Sequence, residues 1–151
     1  MAGIEGTERV LGLYCGSGSI ELFLARHVRE VRGIDVSSES ISCAKANAAI
    51  NEVGNCLFVR DRVEKVRHHL AGMRPDIVVV DPPRAGLSKE ALDVIVEIGA
   101  EKVVYISCNP ATLARDLKGL KREYGLRHAI PFDFFPHTGH FEVLTLLERI
   151  W

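Results

Sequence analysis

Short runs rich in β-branched residues alternate with stretches of helical spacing from one end of this chain to the other. A sequence patterned this way builds βαβ units, with a mostly parallel sheet covered by helices on both faces. Strands are expected at 10–14, 31–36, 57–60, 76–80, 102–106, 127–132 and 142–149, with helices between them. Ile20, Phe23, Leu24 and His27 follow helical spacing, as do Ala91, Ile95 and Ile98, and then Leu113, Leu117 and Leu120. Each set offers one face to the sheet and reads as core. With 151 residues, there is length for one packed domain, spanning 1–151, and not for two.

The final two strands are separated only by residues 133–141, too few for a crossover helix, so they should pair antiparallel at the sheet edge. An antiparallel last strand on seven favours the α/β, Rossmann-like sheet of class I methyltransferases over a six-stranded dinucleotide fold. The first strand runs into Tyr14-Cys15-Gly16-Ser17-Gly18-Ser19, a glycine turn that lets a ligand approach bare backbone. A dinucleotide fingerprint would place a third glycine where Glu21 stands, and a carboxylate there would repel a pyrophosphate. S-adenosylmethionine carries no phosphate and is not excluded. Asp35 closes the second strand beside this turn, where a carboxylate can accept both ribose hydroxyls.

At the active-site edge of the expected sheet, Asp81-Pro82-Pro83-Arg84 follows the fourth strand, and the paired prolines stiffen the loop and remove two amide donors. Arg84 stands where enzymes that methylate base amines carry a stacking aromatic residue, which favours chemistry on a ring carbon. Ser107-Cys108-Asn109-Pro110 follows the fifth strand, with Asn109 suited to cap a helix and Pro110 to its first position. Amides at a helix start favour a thiolate, so Cys108 reads as a nucleophile. The last loop brings His137, His140 and Glu142 together just before the final strand; positioning and acid–base roles suit them.

Charge and cysteine usage narrow the function further. The net charge of −1 lends no general support to RNA binding, and basic clusters at 60–62, 65–69 and 118–122 read as solvated surface. The four cysteines and six histidines show no ligand-like spacing, so no metal site is expected. Cys15, Cys43 and Cys56 are expected to be buried packing residues. No apolar run approaches the roughly 20 residues of a membrane span, and a signal peptide is not evident, so a soluble cytoplasmic protein without membrane contact is expected.

Four motifs, Tyr14-Cys15-Gly16-Ser17-Gly18, Asp81-Pro82-Pro83-Arg84-Ala85-Gly86, Ser107-Cys108-Asn109-Pro110 and Phe135-Pro136-His137-Thr138-Gly139-His140-Phe141-Glu142, resemble the RNA 5-methyluridine methyltransferases of tRNA and ribosomal RNA. The resemblance covers nearly the whole chain. It implies an S-adenosylmethionine-dependent enzyme in which Cys108 attacks C6 of uracil, C5 takes the methyl group and Glu142 removes the C5 proton. It places Asp81 between cofactor and target base, and assigns cofactor contacts to Tyr14, Ser19, Asp35, Asp81 and Arg62 or its neighbour Asp61, beside Gly16 and Gly18 of the glycine turn. Arg84, His137 and His140 are expected on the RNA side. Three departures stand out: Gly12 replaces an aspartate of the family pattern, Asp61 replaces a glycine, and the upstream RNA-binding barrel, central domain and glutamine-bearing helix are expected to be missing from this chain. The alternatives are a methyltransferase for cytosine C5 or a base amine, and a non-catalytic cofactor-binding fragment.

Overall fold

The computed structural model describes residues 3–134 and 136–150. Seven strands form one sheet: β1 (Arg9–Leu13), β2 (Glu30–Asp35), β3 (Cys56–Arg60), β4 (Ile77–Val80), β5 (Lys102–Ser107), β6 (Tyr124–Phe132) and β7 (Glu142–Arg149). Their order is β3-β2-β1-β4-β5-β7-β6. All neighbours up to β5 run parallel, while β7 lies antiparallel between β5 and β6. This is the expected sheet, with β6 as its edge. β6 begins earlier than its sequence pattern suggests, because Tyr124 pairs with Arg149 and buries a ring whose hydroxyl donates to the Ala100 carbonyl at 2.9 Å. Tyr14 leaves β1 because its φ of 61° belongs to no strand.

Four α-helices intervene: α1 (Ser19–Ala25), α2 (Ser38–Ile50), α3 (Lys89–Ile98) and α4 (Pro110–Leu120), with a 3-10 helix at Val63–His69. Ser37, Ser88 and Asn109 cap α2, α3 and α4 with side-chain oxygens that accept from amides of the first turn. Strand parity assigns the layers. Leu11, Leu13, Ile34, Val78, Val80, Val103 and Tyr105 pack with the 3-10 helix, α3 and α4. Val10, Val31, Ile77 and Val79 point the other way and pack with Ala25 of α1, while Phe58 meets Ala44 and Ala48 of α2. Within β4 every residue is buried, which is why its sequence is an unbroken apolar run.

Two expectations about burial are corrected. Phe23 is 65% exposed, its ring set against His27, and His27 lies beyond the end of α1, so only Ile20 and Leu24 of that stripe join the core. Cys43 is exposed on α2, because the face that α2 buries is marked by Ile41, Ala44 and Ala48. Cys15 is buried, and burial, with Glu21 and Asp35 nearby, pushes its thiol well above the usual range. No helix among the described residues is long and apolar enough to cross a membrane.

Candidate active site

In parallel strands of one sheet the carboxyl ends share an edge, and an antiparallel strand presents its start at that same edge. The turn after β1, Asp35 at the end of β2, Asp81 just past β4, Cys108 just past β5 and Glu142 at the start of β7 therefore converge. The registers tie them together. Leu13 pairs with Val80, and the Asp81 amide donates to the Leu13 carbonyl at 3.3 Å. Ser107 pairs with Val143, so one further step of the antiparallel register sets Cys108 against Glu142.

The glycine turn is held by Asp35. One carboxylate oxygen accepts from the Gly16 amide at 2.9 Å and the other from the Ser37 amide at 2.9 Å. Its two glycines serve different ends. Gly16, with φ 53°, would point a Cβ into open space, which leaves its backbone approachable. A Cβ on Gly18 would come within 2.6 Å of the Phe58 ring, so that glycine is a packing requirement. Tyr14 is half-buried at the start of the turn, and burial pushes its hydroxyl up to about 12. Ser19 is exposed at the first position of α1. Arg62 precedes the 3-10 helix with its guanidinium 3.3 Å from Glu64, while Asp61 accepts from the Arg62 amide at 2.8 Å and pairs with His69 at 2.7 Å.

Parity places two carboxyl groups on one side of this edge, and α1 adds a third. Gly12, Asp35 and Asp81 continue the row of Val10, Val31, Ile77 and Val79. Glu21 of α1 lies across that row: it is 3% exposed, a Cβ on Gly12 would collide with its carboxyl, and its Oε2 has no hydrogen-bond partner. Burial pushes Glu21 up to about 7, and the negative charges of Asp81 and Asp35 add to it. Asp81 keeps an open side yet is surrounded closely enough to be pushed up to about 6, with Glu142 adding like charge.

The loop carrying Asp81 is clasped by α4. The Arg84 carbonyl accepts from Asn109 Nδ2 at 3.2 Å and from Thr112 Oγ1 at 3.2 Å. Arg115 donates to the Ala85 carbonyl at 2.9 Å. Asp116, fully buried, accepts from the Leu87 amide at 2.7 Å and from the Tyr105 hydroxyl at 2.7 Å. Asn109 also accepts from the Ala111 amide at 3.1 Å, so one residue caps α4 and ties the Cys108 segment to the Asp81 loop. The Arg84 side chain is exposed. His137 and His140 are exposed in the loop before β7; His137 has φ 71°, and His140 lines a depression of about 550 Å³ with Thr138, Phe141 and Pro131. Phe135 of that motif lies outside the described residues. Among the described residues no group of three or more His, Cys, Asp and Glu is placed to hold a metal ion.

Two residues escaped the sequence reading. Glu21 entered it only as an obstacle to phosphate, although a glycine at position 12 leaves room for a neighbouring side chain. Asp116 had a readable signal, a lone carboxylate on the apolar stripe of Leu113, Leu117 and Leu120.

Comparison with known proteins places the chain in a family. Over 151 residues the chain is 44% identical to a protein of Bacteroides thetaiotaomicron named an uncharacterized RNA methyltransferase, covering 97% of this chain and 33% of that protein. A Listeria innocua protein of the same description is 43% identical over 148 residues, covering 97% of this chain and 32% of the other. The chain thus spans about a third of the length of the curated relatives it matches. The solved tRNA (uracil-54, C5)-methyltransferase of Pyrococcus abyssi, in complex with S-adenosyl-L-homocysteine, superposes with a TM-score of 0.84 at 35% identity, over 95% of this chain and 35% of that one. An rRNA methylase of Streptococcus thermophilus, at 15% identity and a TM-score of 0.76 over 99% of this chain and 92% of that one, shares the fold. Residues 3–150 match the tRNA (uracil-5-)-methyltransferase family, and the chain belongs to that family.

Proposed function

We propose that this chain is the catalytic domain of an S-adenosylmethionine-dependent RNA methyltransferase that modifies C5 of uridine, with Cys108 as nucleophile. The observation that carries this reading is the convergence of Cys108, Glu142 and Asp81 on the sheet edge that also bears the glycine turn and Asp35. The residues at this edge fit the cofactor. Gly16 leaves its backbone open, Asp35 retains acceptor capacity for ribose hydroxyls, and the unpartnered Glu21 oxygen beside Asp81 suits a positively charged ligand. Tyr14, Gly18 and Ser19 frame the same turn, and Arg62 stands past the neighbouring strand β3. S-adenosylmethionine, when bound, supplies a methyl group on a positively charged sulfur.

The residues then divide the work. Cys108 Sγ bonds to C6 of uracil, and the electron pair of the C5–C6 double bond moves to C5, which takes the methyl group. Glu142 accepts the C5 proton; the electrons of that C–H bond rebuild the double bond and expel Cys108 as thiolate. Asp81 holds cofactor and base in register from its stiff loop, and Arg84, His137 and His140 face the RNA. With a net charge of −1, this domain has little general attraction for RNA, so capture beyond the target base falls to the remaining length of proteins built like its relatives.

RNA carrying 5-fluorouridine tests the reading, because fluorine cannot leave C5 as a proton does. Incubation with S-adenosylmethionine should trap a methylated covalent complex on Cys108, visible by mass spectrometry and absent in Cys108→Ala. An adduct on Cys15 would overturn the assignment, and so would turnover of ordinary uridine by Cys108→Ala. Cofactor binding without transfer to any RNA would favour a non-catalytic fragment.

A further inference from the structure

Glu21 is a buried carboxyl that is only half satisfied: its own backbone amide acts on it as a donor, and its second oxygen is left without one. It is 3% exposed, and its Oε2 reaches no donor. The groups that face it from neighbouring elements only deepen the mismatch. Asp35 at the end of β2 and Asp81 past β4 are acidic, and the thiols of Cys15 in the glycine turn and Cys56 at the start of β3 both feel its charge. No cation acts on it from these elements. Leaving a polar group buried and unpartnered costs stability. The position is also specific: the carboxyl occupies the room that any side chain on Gly12 would need, directly over β1.

A ligand that brings a hydrogen-bond donor and a positive charge would resolve both deficits at once. Within S-adenosylmethionine the adenine and ribose carry no charge, whereas the methionine end carries an ammonium group. We propose that Glu21 is a cofactor-binding residue whose carboxylate accepts a hydrogen bond from that ammonium, with Asp81 as the second carboxylate beside it. The proposal rests on the cofactor reading above. Near neutral pH the free protein holds Glu21 partly protonated; the arriving cation favours the ionised form, and the proton passes to solvent. Glu21→Gln leaves the Asp35 and Asp81 carboxyls in place, so a difference between parent and variant reads the loss of the Glu21 carboxylate.

Calorimetry on the whole chain tests this with S-adenosylmethionine, S-adenosylhomocysteine and 5′-methylthioadenosine, which keeps the nucleoside and lacks the amino-acid end. In Glu21→Gln, affinity for the first two should fall about ten- to a hundredfold, the usual scale of one charged hydrogen bond, while 5′-methylthioadenosine binds as before. The parent alone provides a second readout that survives any folding failure of the variant. Its affinity for S-adenosylhomocysteine should rise with pH from about 5.5 to about 8 with proton release, while that for 5′-methylthioadenosine stays flat. Equal losses for all three ligands in a folded variant, or no loss, would overturn the proposal, as would matching pH profiles in the parent. A parent that binds none of the three overturns the cofactor reading instead.

Discussion

Replacing Asp116 with alanine removes the acceptor at the centre of the clasp between α4 and the Asp81 loop. Asp116 Oδ2 takes two buried donors, the Leu87 amide and the Tyr105 hydroxyl, both at 2.7 Å, while Oδ1 takes Arg115 Nε at 2.9 Å. Burial and the neighbouring carboxylate hold the Tyr105 hydroxyl well above the usual phenol range, so it remains a donor. Each buried donor left without a partner costs about 1 to 3 kcal/mol, which puts Asp116→Ala at about 2 to 6 kcal/mol. That is a large part of the roughly 5 to 15 kcal/mol that holds a domain folded. Tyr105→Phe alone should cost only about 1 kcal/mol, since Asp116 keeps its other donors. In the Asp116→Ala background the same change removes an orphaned hydroxyl, so the double variant should be more stable than the sum of the singles by about 2 to 4 kcal/mol. Urea unfolding followed by circular dichroism measures all three. Additivity within about 0.5 kcal/mol, or a loss below about 1 kcal/mol for Asp116→Ala, would refute the reasoning.

Gly86 has φ 76°, and a Cβ there would lie 2.5 Å from Asp116 Oδ2, so Gly86→Ala should cost about 1 to 3 kcal/mol; an unchanged melting temperature would contradict this. Glu21 and Asp81 are pushed up to about 7 and about 6 from 4.5 and 3.8. In the folded protein they retain protons that the unfolded chain has released, so their contribution to stability is full below the unfolded values and is lost as pH rises through the folded ones. The melting temperature of the cofactor-free protein should fall between about pH 5 and about pH 8, less steeply in Glu21→Gln; equal slopes would remove Glu21 as a cause. Glu142→Gln should slow release about 100-fold to 10,000-fold and accumulate a methylated, covalently bound RNA with ordinary uridine on a denaturing gel, whereas turnover near the parent rate without adduct would make His140 the next candidate base.

Local chemistry made much of the fold and site legible in the sequence. The period of the apolar residues announced seven strands and their helices, Asn109-Pro110 announced the start of α4, and the short span of residues 133–141 announced the antiparallel final pair. Such signals are written within a few residues, where sterics, capping and chain reach decide the outcome. Only the tertiary structure decided which distant groups share a space. Glu21 lies over Gly12, Asp116 lies under Tyr105, and Cys108 and Glu142 come to the same sheet edge because β7 inserts beside β5. Burial, charge and the lack of a partner for Glu21 Oε2 are properties of that packing. No window of the sequence contains both the carboxyl and the strands, helix and acidic neighbours that enclose it, so its role could be read only once the chain had folded.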